Sequence, residues 1–465
     1  MSVELAYTPL RVLAERIRCG ELSPVEIVEG FLERIDRYDA RLGTYITVCA
    51  DDALETAQAA EREIKAGSYR GPLHGIPVVH KDNILTKGVL TTAHSKTLRD
   101  FYPPTDASFV ARLKACGTIL MGKTNTTEFA CGDMAEYGPS RNPWNLALFS
   151  GASSGGSAGA LAAGLAVAAT GTDTGGSIRA PASMCGVVGV KPTFGRVSRH
   201  GVIPLSWTMD HAGPMTRTVA DAALLLAGMA GPDALDPSGS KRAVPDFTEG
   251  FTPELSGVSI GVCQEHFFEG LEPAVENALH AVLSELEGLG AELRPLSLPS
   301  AGELAAAADV LVMAEAFSQH AARLRECAAD YGPKARRRIS TGAFYTSAEY
   351  QQAGQVRELW IRELDLAMRD VDALVTPTLP FTAFSLERQE RGAPDTSWAT
   401  RHFNLSGHPA MTLPCGFDEG GLPIGMQVVA KPFDESTMFR IGHAYQLATG
   451  WHLRRPRPFA GDDDA

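Results

Sequence analysis

The chain has 465 residues, enough for one large domain or for two to three ordinary ones, with 44% hydrophobic and 21% charged residues. Its formal net charge is −13 and its densest basic cluster is only Arg336-Arg337-Arg338, which argues against nucleic acid or an anionic membrane as the main partner. Eight scattered cysteines with no CxxC pair read as reduced thiols in a cytoplasmic protein, not as a disulfide framework.

Two amphipathic helices are expected first. Thr8 and Ser23 stand as N-caps, and Leu13, Ile17, then Ile27, Phe31 and Ile35 recur at helical spacing. The charges Glu4, Arg11, Glu15, Arg16 and Arg18 fit this helix and do not fit a signal peptide. A third helix over 51–66 ends at Gly67. Residues 75–84 read as a strand with Lys81 inside it, 106–115 as a helix, 118–121 as a short buried strand and 157–169 as a core helix. The small apolar run 158–170 is too short to span a bilayer. Beyond Arg217 come a helix, a strand at 258–263, a helix at 273–288 and a strand at 292–295. The Ala-rich, charged segment 300–345 suggests a helical layer. Strands follow at 372–377, 410–414 and 424–430, the last two joined through the turn Asp418-Glu419-Gly420-Gly421. Helices and strands alternate without linker or repeat, so one α/β domain is expected over 1–465. Within it lie N-terminal helices (8–66), a core (70–220), a variable region (about 230–400), C-terminal strands and a helix (404–450), and a disordered tail (460–465).

The chemistry concentrates in two loops and one lysine. Gly151-Ala152-Ser153-Ser154-Gly155-Gly156-Ser157 and Gly171-Thr172-Asp173-Thr174-Gly175-Gly176-Ser177-Ile178-Arg179 flank an apolar run that must be buried. Glycines let backbone N–H groups approach an oxyanion, and serine hydroxyls can act as nucleophile or proton carrier. Burial disfavours the ammonium of Lys81; a fall from about 10.4 to roughly 7–8 leaves it able to accept a proton near neutrality. Side chains alternate across a strand, so Lys81 faces away from both His80 and Asp82, and His80 reads as a core histidine.

These residues together resemble the amidase signature family. Lys81-Asp82-Asn83, both serine loops, and the spacing of 24 between Ser153 and Ser177 carry the resemblance. It extends through Cys185-Gly186-Val187-Val188-Gly189-Val190-Lys191-Pro192 and Asn404-Leu405-Ser406-Gly407 to Gly421-Leu422-Pro423-Ile424-Gly425-Met426-Gln427. The resemblance implies a central mixed, twisted β-sheet flanked by helices on both faces. It also implies a Ser-Ser-Lys triad: Ser177 as nucleophile, Ser153 as relay after a cis Ala152–Ser153 bond, and Lys81 as base. The N–H groups of Thr174, Gly175, Gly176 and Ser177 would form the oxyanion hole. Residues 128–134, with Cys131, Gly132 and Met134, would either line the acyl pocket or pack in the core, and Arg179 would either steer substrate or pair with Asp173.

No cofactor or metal is implied, and the implied partner is a small amide-type molecule, with the chain a monomer or homodimer. The implied activity is hydrolysis of a C–N amide bond, extending to esters or carbamates. Aliphatic amides, aryl acylamides, amino-acid amides and urethanes all stay open. A second possibility is the glutamine-hydrolysing subunit of a tRNA-dependent amidotransferase. The resemblance places its amino-group-binding acid shortly before the NLxG segment, where this chain has Ser397, with Asp395 two residues away. A third is a catalytically silent binding protein on the same fold. Arg338 falls near a carboxylate-binding arginine of some members but reads as part of a solvated charge run. Gly117-Thr118-Ile119-Leu120-Met121-Gly122-Lys123-Thr124 satisfies the P-loop expression, yet its central residues are themselves an apolar strand, leaving no loop to wrap a phosphate.

Overall fold

The helix Pro24–Leu42 forms where local signals agree. The Ser23 hydroxyl accepts from the Val25 N–H, Glu26 reaches back to the Ser23 N–H, Pro24 opens the first turn, and Gly43 closes the helix at φ 62°. Thr8 does not cap the preceding helix. Pro9 holds the N-cap position of Leu10–Arg18, and the Leu10 and Arg11 N–H groups each donate at 3.0 Å to Asp221, on the helix Val219–Met229. A carboxylate distant in sequence satisfies the orphan amides that a local hydroxyl was expected to take.

The computed structural model describes residues 3–459, so the expected tail at 460–465 lies outside the described residues. Thirteen strands follow in chain order: β1 Tyr45–Val48, β2 Pro77–Lys81, β3 Ile119–Thr124, β4 Arg141–Asn142, β5 Asn145–Phe149, β6 Ala168–Asp173, β7 Val188–Lys191, β8 His211–Thr216, β9 Ser259–Cys263, β10 Glu292–Leu296, β11 Ala373–Pro377, β12 Ala410–Phe417 and β13 Pro423–Ala430. Eleven make one mixed sheet in the order β1-β3-β2-β6-β8-β7-β12-β13-β11-β9-β10, while β4 and β5 form a separate hairpin. The chain is a single α/β domain built on that sheet, which is flanked by helices. The β12–β13 pair turns through 418–421 as expected, with the Gly421 N–H donating to the Asp418 carbonyl.

Two expectations change. The 157–169 run is not one helix: the helix is Gly155–Ala162, the chain reverses through Gly164 at φ 66°, and β6 begins at Ala168. A buried central strand and a buried helix both read as unbroken small apolar residues, so periodicity alone does not separate them. Lys81 is the last residue of β2, not its middle, and β3 runs on through Lys123 to Thr124. Lys123, itself buried, sits 3.6 Å from Asp82 Oδ1 and donates to the Ile84 carbonyl and the Thr91 hydroxyl, which removes it from any phosphate-binding role.

All eight cysteines are unpaired. Among the described residues no helix is long and apolar enough to cross a membrane. Asp221→Ala leaves the buried Leu10 amide and the part-buried Arg11 amide without acceptors. It should cost about 1–3 kcal/mol, read as a lowered midpoint of chemical denaturation.

Candidate active site

Strands β2 and β6 run parallel as neighbours, so Lys81 and Asp173 emerge at the same edge of the sheet. The loop before the helix Gly155–Ala162 meets that edge. The carboxyl ends of parallel strands are where such sheets commonly gather ligand-binding groups. Lys81 is fully buried. Its Nζ lies 2.6 Å from Ser153 Oγ, 2.8 Å from Thr172 Oγ1 and 3.5 Å from the Thr172 carbonyl.

Desolvation pulls the Lys81 pKa down to about 7, against the opposing pull of Asp173 and Asp210. A neutral amine has two N–H bonds and one lone pair. The two Thr172 oxygens take the hydrogens, which leaves the lone pair for the Ser153 hydroxyl. Thr172 was not singled out by sequence; its only signal there is a polar residue inside a buried strand beside the serine loop. Asn83 Nδ2 donates to the same Thr172 Oγ1 at 3.0 Å and fixes it.

The neighbours of Lys81 face elsewhere, as alternation requires. His80 is buried, with its Nδ1 2.9 Å from Thr170 Oγ1, and desolvation depresses its pKa to about 3. Asp82 Oδ2 accepts from the Thr92 N–H at 2.9 Å and from the Thr92 hydroxyl.

The peptide bond Ala152–Ser153 is cis. The second serine loop is tied to the first by the Ser154 N–H, which donates to the Ser177 carbonyl at 3.0 Å. Among the described residues no hydrogen bond joins the Ser153 and Ser177 hydroxyls. Ser177 is partly exposed and lines a cavity of about 300 Å³ together with Thr174, Gly175 and Gly176.

The Gly176 N–H departs from its expected use: it donates to Asp173 Oδ1 at 2.8 Å, because the 173–176 turn folds back over that carboxylate. Its amide is therefore already satisfied, and Thr174, Gly175 and Ser177 carry the remaining candidate donors. A side chain at 176 is excluded on two counts, a φ of 136° and an added Cβ only 2.1 Å from Thr400 Oγ1.

Arg179 does not meet substrate. It is wholly buried, with Nε and Nη2 on the two Asp173 oxygens at 3.0 and 2.9 Å. Its remaining donors go to the Thr400 carbonyl, Gln427 Oε1 and Asn404 Oδ1 at 2.9, 2.6 and 2.6 Å. Burial alone would raise the Asp173 pKa, but Arg179 and Asn404 outweigh it and hold this carboxyl well below the usual range. Asn404 and Gln427, one from each of the resembling segments at 404–407 and 421–427, thus help to hold the loop that carries Ser177.

Cys131 and Gly132 line the cavity, whereas Met134 does not and packs with Phe149 and Phe384. Core residues Phe149, Ala152, Leu205 and Met209 form part of the wall, and the variable region and its border supply another part: Asp309 and Met313 on the helix Leu304–Cys327, Lys334 and Arg338 on Pro333–Thr341, and residues 393–397 with Arg401. Arg338 stays exposed yet lines the cavity, and its Nη1 donates to the Cys131 carbonyl at 3.1 Å, so the solvated-run reading fails for this residue. Ser397 lies on the wall, and Asp395 pairs with Arg401.

The family model named Amidase matches residues 26–439, and the chain belongs to that family, the amidase signature enzymes. Among curated relatives it is 40% identical to the A subunit of glutamyl-tRNA(Gln) amidotransferase from Geobacter metallireducens, covering 97% of this chain and 99% of that protein. Among solved structures it is similar to the peptide amidase of Stenotrophomonas maltophilia (33% identity, TM-score 0.88, 98% of this chain and 99% of that one). It is also similar to the A subunit of glutamyl-tRNA(Gln) amidotransferase from Thermotoga maritima (33%, TM-score 0.82, 96% of each chain).

Arg179→Met strands a buried carboxylate beneath the nucleophile loop. It should cost about 3–5 kcal/mol of stability, seen in denaturant titration or as loss of soluble protein.

Proposed function

We propose that the protein cleaves the C–N bond of amides through an acyl-enzyme on Ser177. The observation that carries this reading is the buried Lys81 amine, 2.6 Å from Ser153 Oγ, in a loop whose Ala152 lines the same cavity as Ser177. Ser177 Oγ turns toward Ser153 as an acyl group enters. Ser153 passes its proton to neutral Lys81 and takes the proton of Ser177, while Ser177 Oγ bonds to the acyl carbon. The carbonyl electron pair moves onto oxygen, where the Thr174, Gly175 and Ser177 N–H groups receive it. Collapse expels the amine, which recovers the proton from Lys81 by way of Ser153. Water then enters along the same path and releases the acid. Esters and carbamates pass through the same steps.

A second reading, a glutamine-hydrolysing component of an amidotransferase, is favoured by the names of the full-length relatives at 40% identity. What supports hydrolysis of a free amide instead is the cavity wall, where Ser397 stands at the position expected for an acid and Arg401 neutralises nearby Asp395. The two readings differ in substrate and in the need for a partner, and share the bond cleaved.

The purified chain alone should hydrolyse at least one member of a panel of aliphatic amides, aryl acylamides, amino-acid amides and urethanes faster than glutamine. Glutaminase activity that appears only with a co-purified partner would make the amidotransferase reading the correct one. For the best substrate the rate should climb with pH along one limb with an apparent pKa near 7, since Lys81 must be unprotonated to act. Lys81→Ala should lose that limb and about 10²–10⁴ in kcat; a variant that keeps both the limb and the rate rules Lys81 out as the base.

A further inference from the structure

The turn at 205–210 supplies no member of the triad, yet a buried carboxylate in it reaches the oxyanion loop. Asp210 Oδ1 accepts from the Thr174 hydroxyl at 2.6 Å, and Oδ2 accepts from the Leu205 and Ser206 N–H groups at 2.8 and 2.9 Å. Three donors on one buried carboxylate leave it little freedom to shift. The same turn is gripped from its other side by Glu315, a buried residue of the helix Leu304–Cys327. Glu315 accepts from the Ser206 hydroxyl, from the Thr208 N–H and hydroxyl at 3.0 and 2.8 Å, and from the Tyr350 hydroxyl at 2.7 Å.

Leu205 and Met209 of this turn line the cavity, as do Val312 and Met313 of the helix that carries Glu315. Two carboxylates therefore join the acyl wall to the oxyanion loop through hydrogen bonds that begin at Thr174. Thr174 is β-branched, so fixing its hydroxyl fixes χ1 and restrains the adjoining peptide planes. An oxyanion hole stabilises the transition state only to the extent that its donors are already aimed when charge develops.

We propose that Asp210 is a positioning residue for the oxyanion hole: by holding the Thr174 hydroxyl it aims the Thr174 and Gly175 amides at the acyl oxygen, with Glu315 bracing the turn against the cavity wall. The inference rests on the acyl-enzyme reading and assigns Asp210 no contact with substrate. A residue that only props up the fold would alter stability, or substrate binding and turnover together. One that aims oxyanion donors affects turnover alone.

The test compares Asp210→Asn, Thr174→Val and the double variant on the best amide of the panel, alongside Thr174→Ser. Each of the first two should lower kcat by about tenfold to a hundredfold, below the 10²–10³ of a deleted donor, with KM held within about twofold. The double variant should be no slower than the slower single variant, because both remove one linkage. Thr174→Ser, which restores the hydroxyl, should recover most of what Thr174→Val loses. An unchanged kcat in Asp210→Asn, losses that multiply in the double variant, or a raised KM at constant kcat would each overturn the proposal. If Asp210→Asn does not fold, the Thr174→Val and Thr174→Ser pair decides, and a Val variant with full kcat overturns it. Labelling of the wild type with a fluorophosphonate separates the two levels of the argument: no adduct on Ser177 defeats the acyl-enzyme reading, whereas an adduct with an unchanged Asp210→Asn kcat defeats only this one.

Discussion

An amine deprived of water governs the rest of the site. Lys81 lies at the end of a buried strand, and its 2.6 Å neighbour is a hydroxyl, not a carboxylate. Of the acids whose fields reach it, Asp173 is engaged by Arg179 and Asn404, and Asp210 by Thr174 and the 205–206 amides. Desolvation therefore outweighs Coulombic attraction, and the amine can lose its proton near neutrality. Asp82, in the turn that follows β2, is directed instead to Lys123, 3.6 Å away.

Rigidity around that amine comes from the buried Asp173–Arg179 pair, whose guanidinium nitrogens and carboxylate oxygens are all hydrogen-bonded. The Asp173–Arg179 pair takes partners from Thr400, Asn404 and Gln427, all in the last quarter of the sequence. The loop that carries Ser177 is thus fastened by the helix Arg401–Ser406 and by β13, so the core between 70 and 220 depends on the C-terminal part of the chain. Part of the cavity wall has another origin. Its cationic Lys334 and Arg338 and its Ser397 come from the region between 300 and 401, attached to the same frame by turns.

Much of this was readable from residues alone where local chemistry decides. Ser23 announced its helix, the helix Pro273–Gly288 forms over the span expected, and the 418–421 turn joins the strands it separates. Lys81, Ser153 and Ser177 stood out by type and spacing. What sequence could not supply depends on distant partners. Asp221 replaced Thr8 as the cap of the helix Leu10–Arg18, and the run 158–170 divided because β6 pairs with β2 and β8. Strand β8 carries Pro214 opposite Thr170, a residue that weighs against a strand when read locally. Pairing of Arg179 with Asp173 was one of its two expected roles and is the one the structure shows, whereas Thr172 and Asp210 emerged only once the loops were placed side by side.

The account turns on the charge of one side chain, so the most direct measurement is a titration of that group. Lysine labelled with ¹³C at Cε, with the Lys81 signal assigned by its absence in Lys81→Arg, reports the charge on Nζ as pH is varied. A midpoint near 7 is what the buried setting predicts. A midpoint close to the free-lysine value of about 10.4 would mean that Lys81 is an ordinary ammonium at neutral pH, and would contradict its assignment as the base.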